Sequence, residues 1–135
     1  MKKIFIIILI ILSASIYFFI QNSKLEYQNG VYSASSTDAY GETKVTLEFK
    51  DGKIVKCELL AYDKDGNLKD ENYGKDSGAK NYELAQISLK GFMQYPELLL
   101  KTQNIDEVDA ISGATGTFMQ FKTLVQNLMR TASGR

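Results

Sequence analysis

An apolar run near the N-terminus divides this chain into two unequal parts. Residues 4–20 read IFIIILIILSASIYFFI and follow two lysines, Lys2 and Lys3. As a helix the run would extend about 25 Å, close to the lower limit for crossing a bilayer. It lacks the polar face that a helix packed on a soluble core would show. The remaining residues, roughly 110, are enough for one small domain that folds in water.

The run fits either a membrane anchor or a cleaved signal peptide. It ends in the bulky segment 16–20, whereas a cleavage site needs small residues in an A-x-A-like arrangement. An uncleaved anchor is therefore favoured, and cleavage near the small residues 13–15 is the alternative. Because positive charge stays on the cytoplasmic side, we predict a single-pass protein of the cell membrane whose C-terminal domain lies outside the cytoplasm. Residues 1–21 form the anchor, and residues 22–29 form a polar tether.

Missing residue types exclude several kinds of site. The chain has no His, so it contains neither a Ser-His-Asp triad nor a Cys-His pair. Its one cysteine, Cys57, cannot complete a tetrahedral zinc site or an intramolecular disulfide. The 16 basic residues balance 16 acidic ones, which argues against binding to nucleic acid. Redox chemistry in this chain would need a borrowed cofactor.

The segment after the tether predicts a small antiparallel sheet. Residues 30–35 have the pattern of a first strand, and apolar residues alternate with polar ones in two further segments. Between these two segments lies Asp51-Gly52, a strong signal for a hairpin with a type I′ turn. The alternation predicts that the inward residues are Val45, Leu47 and Phe49 in the second strand and Val55, Cys57, Leu59 and Ala61 in the third.

Residues 62–78 are rich in turn-forming and acidic residues and suggest a calcium-binding loop. Such a loop needs Gly at its sixth position and Glu at its twelfth, where this chain has Leu68 and Gly74. We therefore expect no metal site here, and we predict a solvated turn or short hairpin around Asp65-Gly66.

Two later segments have the spacing of helices. Residues 80–95 carry an apolar stripe and are followed by Pro96, which is expected to end the helix. The leucines at 98–100 are expected to form a further turn against the sheet, and residues 118–129 predict an amphipathic helix. Strands followed by helices predict an α+β fold. In it a small antiparallel sheet packs against two main helices, preceded by one N-terminal transmembrane helix.

The loop before the last helix, residues 109–117, is rich in small and hydroxyl side chains. Thr117 and Gln120 match a capping box, in which both side chains bind free backbone N–H groups at a helix start. Thr115 is not needed as a cap, and the flanking glycines leave its hydroxyl free. Two interpretations fit this pattern, an ordinary capping loop and a phosphate site at the helix N-terminus.

Segment 109–115, DAISGAT, resembles the flavinylation motif of the FMN-binding domain family. That motif is an Asp, two variable residues, Ser or Thr, and then Gly-Ala-Thr. The segments NGVYSAS and KDGKIVKCEL also look like the opening strands of the family. The arrangement is similar to that of single-domain exported flavoproteins of Gram-positive extracellular electron transfer and of the FMN-carrying subunits of Rnf-type complexes. The resemblance identifies residues 30–131 as an FMN-binding domain.

The resemblance also implies a covalent cofactor. In that family a flavin transferase uses FAD as donor and joins the phosphate of FMN to the hydroxyl of the final Thr by a phosphoester bond. By position, Thr115 would be the acceptor. The residues that the transferase would read are Asp109, Ser112, Gly113 and Ala114. Residues expected around the bound FMN are Ser112, Gly113, Ala114, Gly116 and Thr117, and candidates for stacking on its ring are Tyr32, Tyr40, Tyr62 and Tyr73.

By the same resemblance the protein is expected to be an electron carrier without substrate turnover of its own. It would take electrons from a membrane donor, such as quinol or a membrane redox complex, and pass them to an exported acceptor. Its other partners would be the FAD-dependent flavin transferase and the membrane, with no nucleic acid. A subunit of a larger membrane oxidoreductase complex would share this chemistry. The alternative from a different class is a flavin-free anchored binding or surface-antigen module with the same fold.

Overall fold

The structure, a computed structural model, describes residues 2–22 and 27–134 and has an α+β fold. Its helices and strands are α1 Lys2–Asn22, β1 Gly30–Asp38, β2 Gly41–Lys50, β3 Lys53–Tyr62, α2 Ala79–Phe92, α3 Tyr95–Thr102 and α4 Thr115–Ala132. Two short 3-10 helices are Lys75–Ser77 and Ile105–Glu107. The predicted α+β class is confirmed.

Helix α1 covers nearly all of the predicted anchor, and its described side chains, at positions 6 and 8–17, are exposed. In the described ranges, no helix combines the length and the apolar character that a membrane crossing requires. The transmembrane helix therefore stays a prediction. The predicted tether falls largely on residues 23–26, which lie outside the described residues.

The strands form one antiparallel sheet in the order β1-β2-β3. The central strand β2 supplies core residues such as Val45 and Leu47, both 0% exposed. Helix α4 packs against β1 and β2, and α3 packs against β3. The hydrophobic core thus lies between one face of the sheet and these two helices. The predicted arrangement of a sheet packed against two helices is present. The helix that packs on the sheet beside α4 is α3, whereas the prediction gave that position to the helix over residues 80–95.

The turn between β2 and β3 has the predicted geometry. Asp51 has φ 52° and Gly52 has φ 73°, and a type I′ turn requires positive φ at both central residues. Lys50 pairs with Lys53 on either side of the turn. The predicted hairpin is confirmed.

A β-bulge changes which residues of β3 face the core. Glu48 pairs with Lys56 and Phe49 with Ile54, so Val55 has no partner on β2. As a result Ile54 is 3% exposed and Val55 is 47% exposed. The prediction that Val55 faces inward is wrong, because one inserted residue moves the side chains beyond it to the other face.

Cys57 lies beyond the bulge, half-buried and packed against the core, as its predicted inward position requires. Burial raises the pKa of the Cys57 thiol to about 12. The thiolate is the reactive form of cysteine. Cys57 is therefore protonated at neutral pH and is unsuited to thiol chemistry.

The helix predicted over residues 80–95 is present as α2, and a separate short helix, α3, follows it. Helix α2 ends at Phe92, and α3 begins at Tyr95 with Pro96 in its first turn. Proline lacks a backbone N–H, and the first turn of a helix needs none from it. The prediction that Pro96 ends the helix is therefore wrong, because Pro96 lies in the first turn of α3, which also contains the leucines at 98–100. The last predicted helix is confirmed, since α4 buries the stripe Phe118, Phe121, Leu124, Val125 and Leu128.

The segment after β3 forms the predicted short hairpin around Asp65-Gly66. Tyr62 bridges to Leu68, and the backbone N–H of Asp63 donates to the carbonyl of Asn67 at 2.8 Å. One carboxylate oxygen of Asp63 accepts from the backbone N–H groups of Asp65 and Asn67, each at 2.9 Å. The hydrogen bond from the Asn67 backbone is the main reason why the pKa of Asp63 lies below its usual value.

Candidate functional site

Residues 111–114 form a tight turn that leads into α4. The backbone N–H of Ala114 donates to the carbonyl of Ile111 at 2.9 Å. Gly113 is the third residue of the turn and has φ 84°, the left-handed value that a type II turn requires there. Ser112 and Gly113 are exposed at the tip, whereas Ala114 is 1% exposed. Residues 111–114 of the DAISGAT segment therefore have the backbone conformation of a type II turn.

The hydroxyl of Tyr95 holds both ends of this turn from inside the domain. It accepts from the backbone N–H of Ile111 at 2.9 Å and donates to the carbonyl of Ala114 at 3.2 Å. Tyr95 is 0% exposed. Its ring stacks on that of Phe121, with centroids 5.6 Å apart. The turn is thus fixed to the core of the domain by one buried side chain.

Helix α2 packs closely against the turn at two glycines, Gly91 in the helix and Gly113 in the turn. A Cβ added to Gly91 would lie 2.8 Å from the Cβ of Ala114 and 3.2 Å from Cγ2 of Ile111. A Cβ added to Gly113 would lie 2.8 Å from Cγ2 of Ile87, also on α2. The small residues of the motif therefore have a packing role in this fold.

Helix α4 begins without a side-chain cap, so the predicted capping box is wrong. Its N-cap residue is Ala114, and the hydroxyl of Thr117 donates to the Ala114 carbonyl at 2.8 Å. The helix starts at Thr115, which places Thr117 inside the first turn, past the position where a cap acts. In the described part of the chain, the backbone N–H groups of Thr115, Gly116 and Thr117 make no hydrogen bond. Open N–H groups at a helix start favour an anion.

Gln120, the other half of the predicted capping box, contacts the sheet. Its side-chain oxygen accepts from the hydroxyl of Thr43 at 2.9 Å, and its nitrogen donates to Asp38 at 2.7 Å. The second carboxylate oxygen of Asp38 accepts from the backbone N–H of Tyr40 at 2.7 Å. This network joins the first turns of α4 to the connection between β1 and β2.

A cavity of about 430 Å³ lies beside the start of α4. It is bounded by the start of β2, the end of β3, the hairpin after β3, α2 and α4. Its apolar lining comprises Ala61, Leu84, Ala85, Leu89 and Phe92, its aromatic lining Tyr40 and Tyr73, and its polar lining Asp38, Thr43, Lys69, Ser88, Thr117 and Gln120. An apolar cavity with a few polar groups is typical of a site for a small organic ligand.

Lys69 and Asp38 are the charged side chains in the lining of this cavity. The ammonium of Lys69 lies 4.9 Å from the centroid of the Tyr73 ring. Burial lowers the pKa of Lys69, and the carboxylates of Asp38 and Asp63 oppose that effect. The cavity wall therefore carries a cation that is partly withdrawn from water.

The structure brings together part of the predicted site. Gly116 and Thr117 line the cavity, and Thr115 is exposed next to them. Asp109 and Ser112 are exposed on the segment that precedes α4. Of the four tyrosines predicted as candidates, Tyr40 and Tyr73 line the cavity and Tyr32 and Tyr62 do not. The ring of Tyr32 packs edge-on against Phe49 instead, with centroids 5.7 Å apart.

Sequence reasoning missed Tyr95, Gly91 and Lys69. Tyr95 gave no local signal, because its partners lie 16 and 19 residues further along the chain. Gly91 did give a local signal, since a glycine inside a predicted helix costs stability and indicates close packing or function. Lys69 lies in a turn-rich segment, where a lysine is ordinarily solvated.

Comparisons with known proteins agree with this picture. The model of the FMN-binding domain family matches residues 39–130, which include the turn before α4 and all of the cavity lining except Asp38. The crystal structure of the CPE2226 protein from Clostridium perfringens is similar with a TM-score of 0.62 at 22% identity, over 80% of this chain and 90% of that one. An NMR structure of a Clostridium thermocellum protein has a TM-score of 0.46 at 27% identity, over 77% and 91% of the two chains. The first likeness shows a shared fold. A search of curated proteins gives no match.

Proposed function

Because the chain belongs to the FMN-binding domain family, we propose that it is a membrane-anchored flavoprotein outside the cytoplasm. In this proposal it carries FMN covalently at Thr115 and relays electrons from a membrane donor to an exported acceptor. Family membership supports FMN binding. The observation that carries the attachment site is the exposed Thr115 at an uncapped helix start, directly beside the cavity.

The size and the lining of the cavity support the proposal that it receives the isoalloxazine ring. Its volume of about 430 Å³ lies within the usual range of ~300–1,000 Å³ for ligand pockets. Leu84, Leu89 and Phe92 provide an apolar wall for the dimethylbenzene end of the ring. Lys69 and Ser88 provide donors for the oxygen and nitrogen atoms of its pyrimidine end.

Thr115 is better placed as the acceptor than Thr117, the neighbouring hydroxyl residue at the helix start. The hydroxyl of Thr117 is half-buried and bound to the Ala114 carbonyl. Thr115 is exposed, and its hydroxyl makes no hydrogen bond to the described residues. The N–H groups of Gly116 and Thr117 lie at the same helix start, where they can stabilise the negative charge of a phosphodiester.

Attachment is a substitution at phosphorus that the FAD-dependent transferase catalyses in this proposal. The oxygen of Thr115 bonds to the phosphorus of the FMN half of FAD, and the pyrophosphate bond breaks. AMP leaves, and the hydroxyl proton of Thr115 is released. The product is heavier than the chain by one FMN less one water.

The residues of the domain then hold and shield the cofactor. FMN supplies reversible uptake of electrons when bound. The start of α4 holds its phosphate, and the apolar wall from α2 keeps water from one side of the ring. Outside the cytoplasm a dissociated FMN is lost to dilution, so a covalent bond removes the dependence on free cofactor concentration.

Co-expression with a flavin transferase tests the attachment. The wild-type chain should fluoresce in a denaturing gel and gain the mass of one FMN less one water. Thr115→Ala should abolish both signals. The matched control is Thr117→Ala, which removes the neighbouring hydroxyl and should keep most of the flavin.

Two results would contradict the proposal. A wild-type chain that stays colourless with an active transferase and FAD would disprove covalent flavin and favour the flavin-free binding module. Fluorescence that persists in Thr115→Ala and disappears in Thr117→Ala would move the acceptor to Thr117.

A further inference from the structure

The cavity wall has an uneven charge distribution. The carboxylate of Asp38 is satisfied on both oxygens, by the Tyr40 backbone N–H and by the amide of Gln120, each at 2.7 Å. The ammonium of Lys69, on the same wall, makes no ion pair within 4 Å among the described residues. Asp38 keeps its negative charge but has both carboxylate oxygens occupied, whereas the donors of the Lys69 ammonium are available to a ligand.

The position of Lys69 is fixed by its surroundings. Its backbone N–H donates to the carbonyl of Ala61 at 2.8 Å, which ties the residue to the end of β3. Its ammonium lies over the face of Tyr73, 4.9 Å from the ring centroid. An ammonium that is half-buried and has no described carboxylate within 4 Å gains from a ligand that brings negative charge or acceptor atoms.

We infer that Lys69 sets the reduction potential of the flavin by placing its ammonium beside the N1–C2=O edge of the ring. This inference rests on the proposed function. The apolar wall of Leu84, Leu89 and Phe92 favours the opposite, dimethylbenzene end of the ring. The two walls together orient the polar edge toward Lys69.

The expected direction of the effect follows from charge. Two electrons and one proton, with the electrons supplied by a quinol-class donor, convert the neutral oxidised ring into an anion whose charge lies on the N1–C2=O edge. A nearby cation stabilises that anion more than the neutral ring. Lys69 therefore raises the reduction potential, and removal of its charge lowers it.

Redox titration of the full-length flavinylated protein, followed by flavin absorbance, tests this role. Lys69→Met keeps most of the length of the side chain and removes the charge. We expect its midpoint potential to be more negative by about 30 mV or more, a tenfold change in the relative affinity for reduced flavin in a two-electron couple. Lys69→Gln should give a shift of the same sign, and Lys69→Arg should keep the wild-type potential.

The control is Lys90→Gln, which removes an exposed lysine of α2 that does not line the cavity. Its potential should equal that of the wild type. An unchanged potential in both Lys69→Met and Lys69→Gln, with flavin attached, would overturn the inference and leave the proposed function standing. A shift of the same size in Lys90→Gln would also overturn it, because net charge would then explain the effect. A wild-type chain without flavin would overturn the proposed function and this inference together.

Discussion

The shape of the turn before α4 depends on a single hydroxyl, that of Tyr95. Without it the backbone N–H of Ile111 would lose its partner in a part of the domain that is partly shielded from water. The Ala114 carbonyl would keep two donors, the Phe118 backbone N–H at 3.0 Å and the Thr117 hydroxyl at 2.8 Å. Removal of the hydroxyl therefore destabilises the fold mainly because the backbone N–H of Ile111 is left without a hydrogen bond.

Tyr95→Phe should lower the free energy of unfolding by about 1–3 kcal/mol, because it leaves a backbone donor unsatisfied. Urea denaturation of the full chain measures this. Tyr40→Phe is the matched control, since Tyr40 is 74% exposed, and it should change stability by less than about 0.5 kcal/mol. Equal stability of Tyr95→Phe and wild type would show that the hydroxyl does not hold the turn.

Sequence reasoning succeeded at residues whose geometry depends on close neighbours in the chain. Asp51-Gly52 predicted a turn with two positive φ angles, and both angles are present. Tyr95 and Gly91 were missed because each acts on residues 111–114 through tertiary packing. Nothing in the residues around Tyr95 marks its hydroxyl as a hydrogen-bonding partner of a distant turn.

Two glycines in opposite backbone conformations test the hairpin and the start of α4. Gly52 lies in the β2–β3 turn with φ 73°, whereas Gly116 lies in the first turn of α4. A Cβ at either position would meet nothing within 4 Å, so any change in stability comes from the backbone. Gly52→Ala should cost about 1 kcal/mol or more, and Gly116→Ala should add up to about 1 kcal/mol. Thermal melts of the two variants should move in opposite directions, and a common direction would contradict the assigned backbone conformations.

The bulge in β3 and the break between α2 and α3 are two features that the hydrophobic pattern of the sequence did not predict. Alternation in β3 was correct from Cys57 onward and failed at Val55, because strand pairing with β2 decides where an extra residue is inserted. Pro96 was predicted to end a helix, but it lies in the first turn of α3. Its role as the start of α3 depends on the leucine-rich segment after it, which packs against β3.

The anchor and the side of the membrane can be tested on intact cells. The lysines before the apolar run predict that the domain lies outside the cytoplasm. Protease added to intact bacterial spheroplasts should digest the domain and leave a small membrane fragment. Full protection would contradict the topology, and a soluble mature chain lacking about 20 N-terminal residues would show that the segment is a cleaved signal.

The cavity could not be predicted from the sequence, although the motif beside it could. Its lining comes from separate stretches, residues 38–43, 61–73, 84–92 and 116–120. Each stretch is unremarkable alone, and only the fold brings them together. Local pattern found Gly116 and Thr117 because they follow the motif, while Lys69 and Ser88 depend on tertiary structure.

The length of α4 has a consequence for how electrons could reach the domain. The backbone N–H of Gln28 donates to the carbonyl of Ala132 at 2.8 Å, so the chain enters the domain beside the last turn of α4. Thr115 is at the other end of this 18-residue helix, about 25 Å away at ~1.5 Å per residue. In the proposed anchored flavoprotein, α4 would separate the flavin on Thr115 from the membrane and leave it on the side of an exported acceptor. Because tunnelling weakens steeply with distance, direct reduction by a quinol in the bilayer would require the Thr115 end of α4 to come close to the membrane. A membrane donor whose own redox group projects outward would reach the flavin without that reorientation.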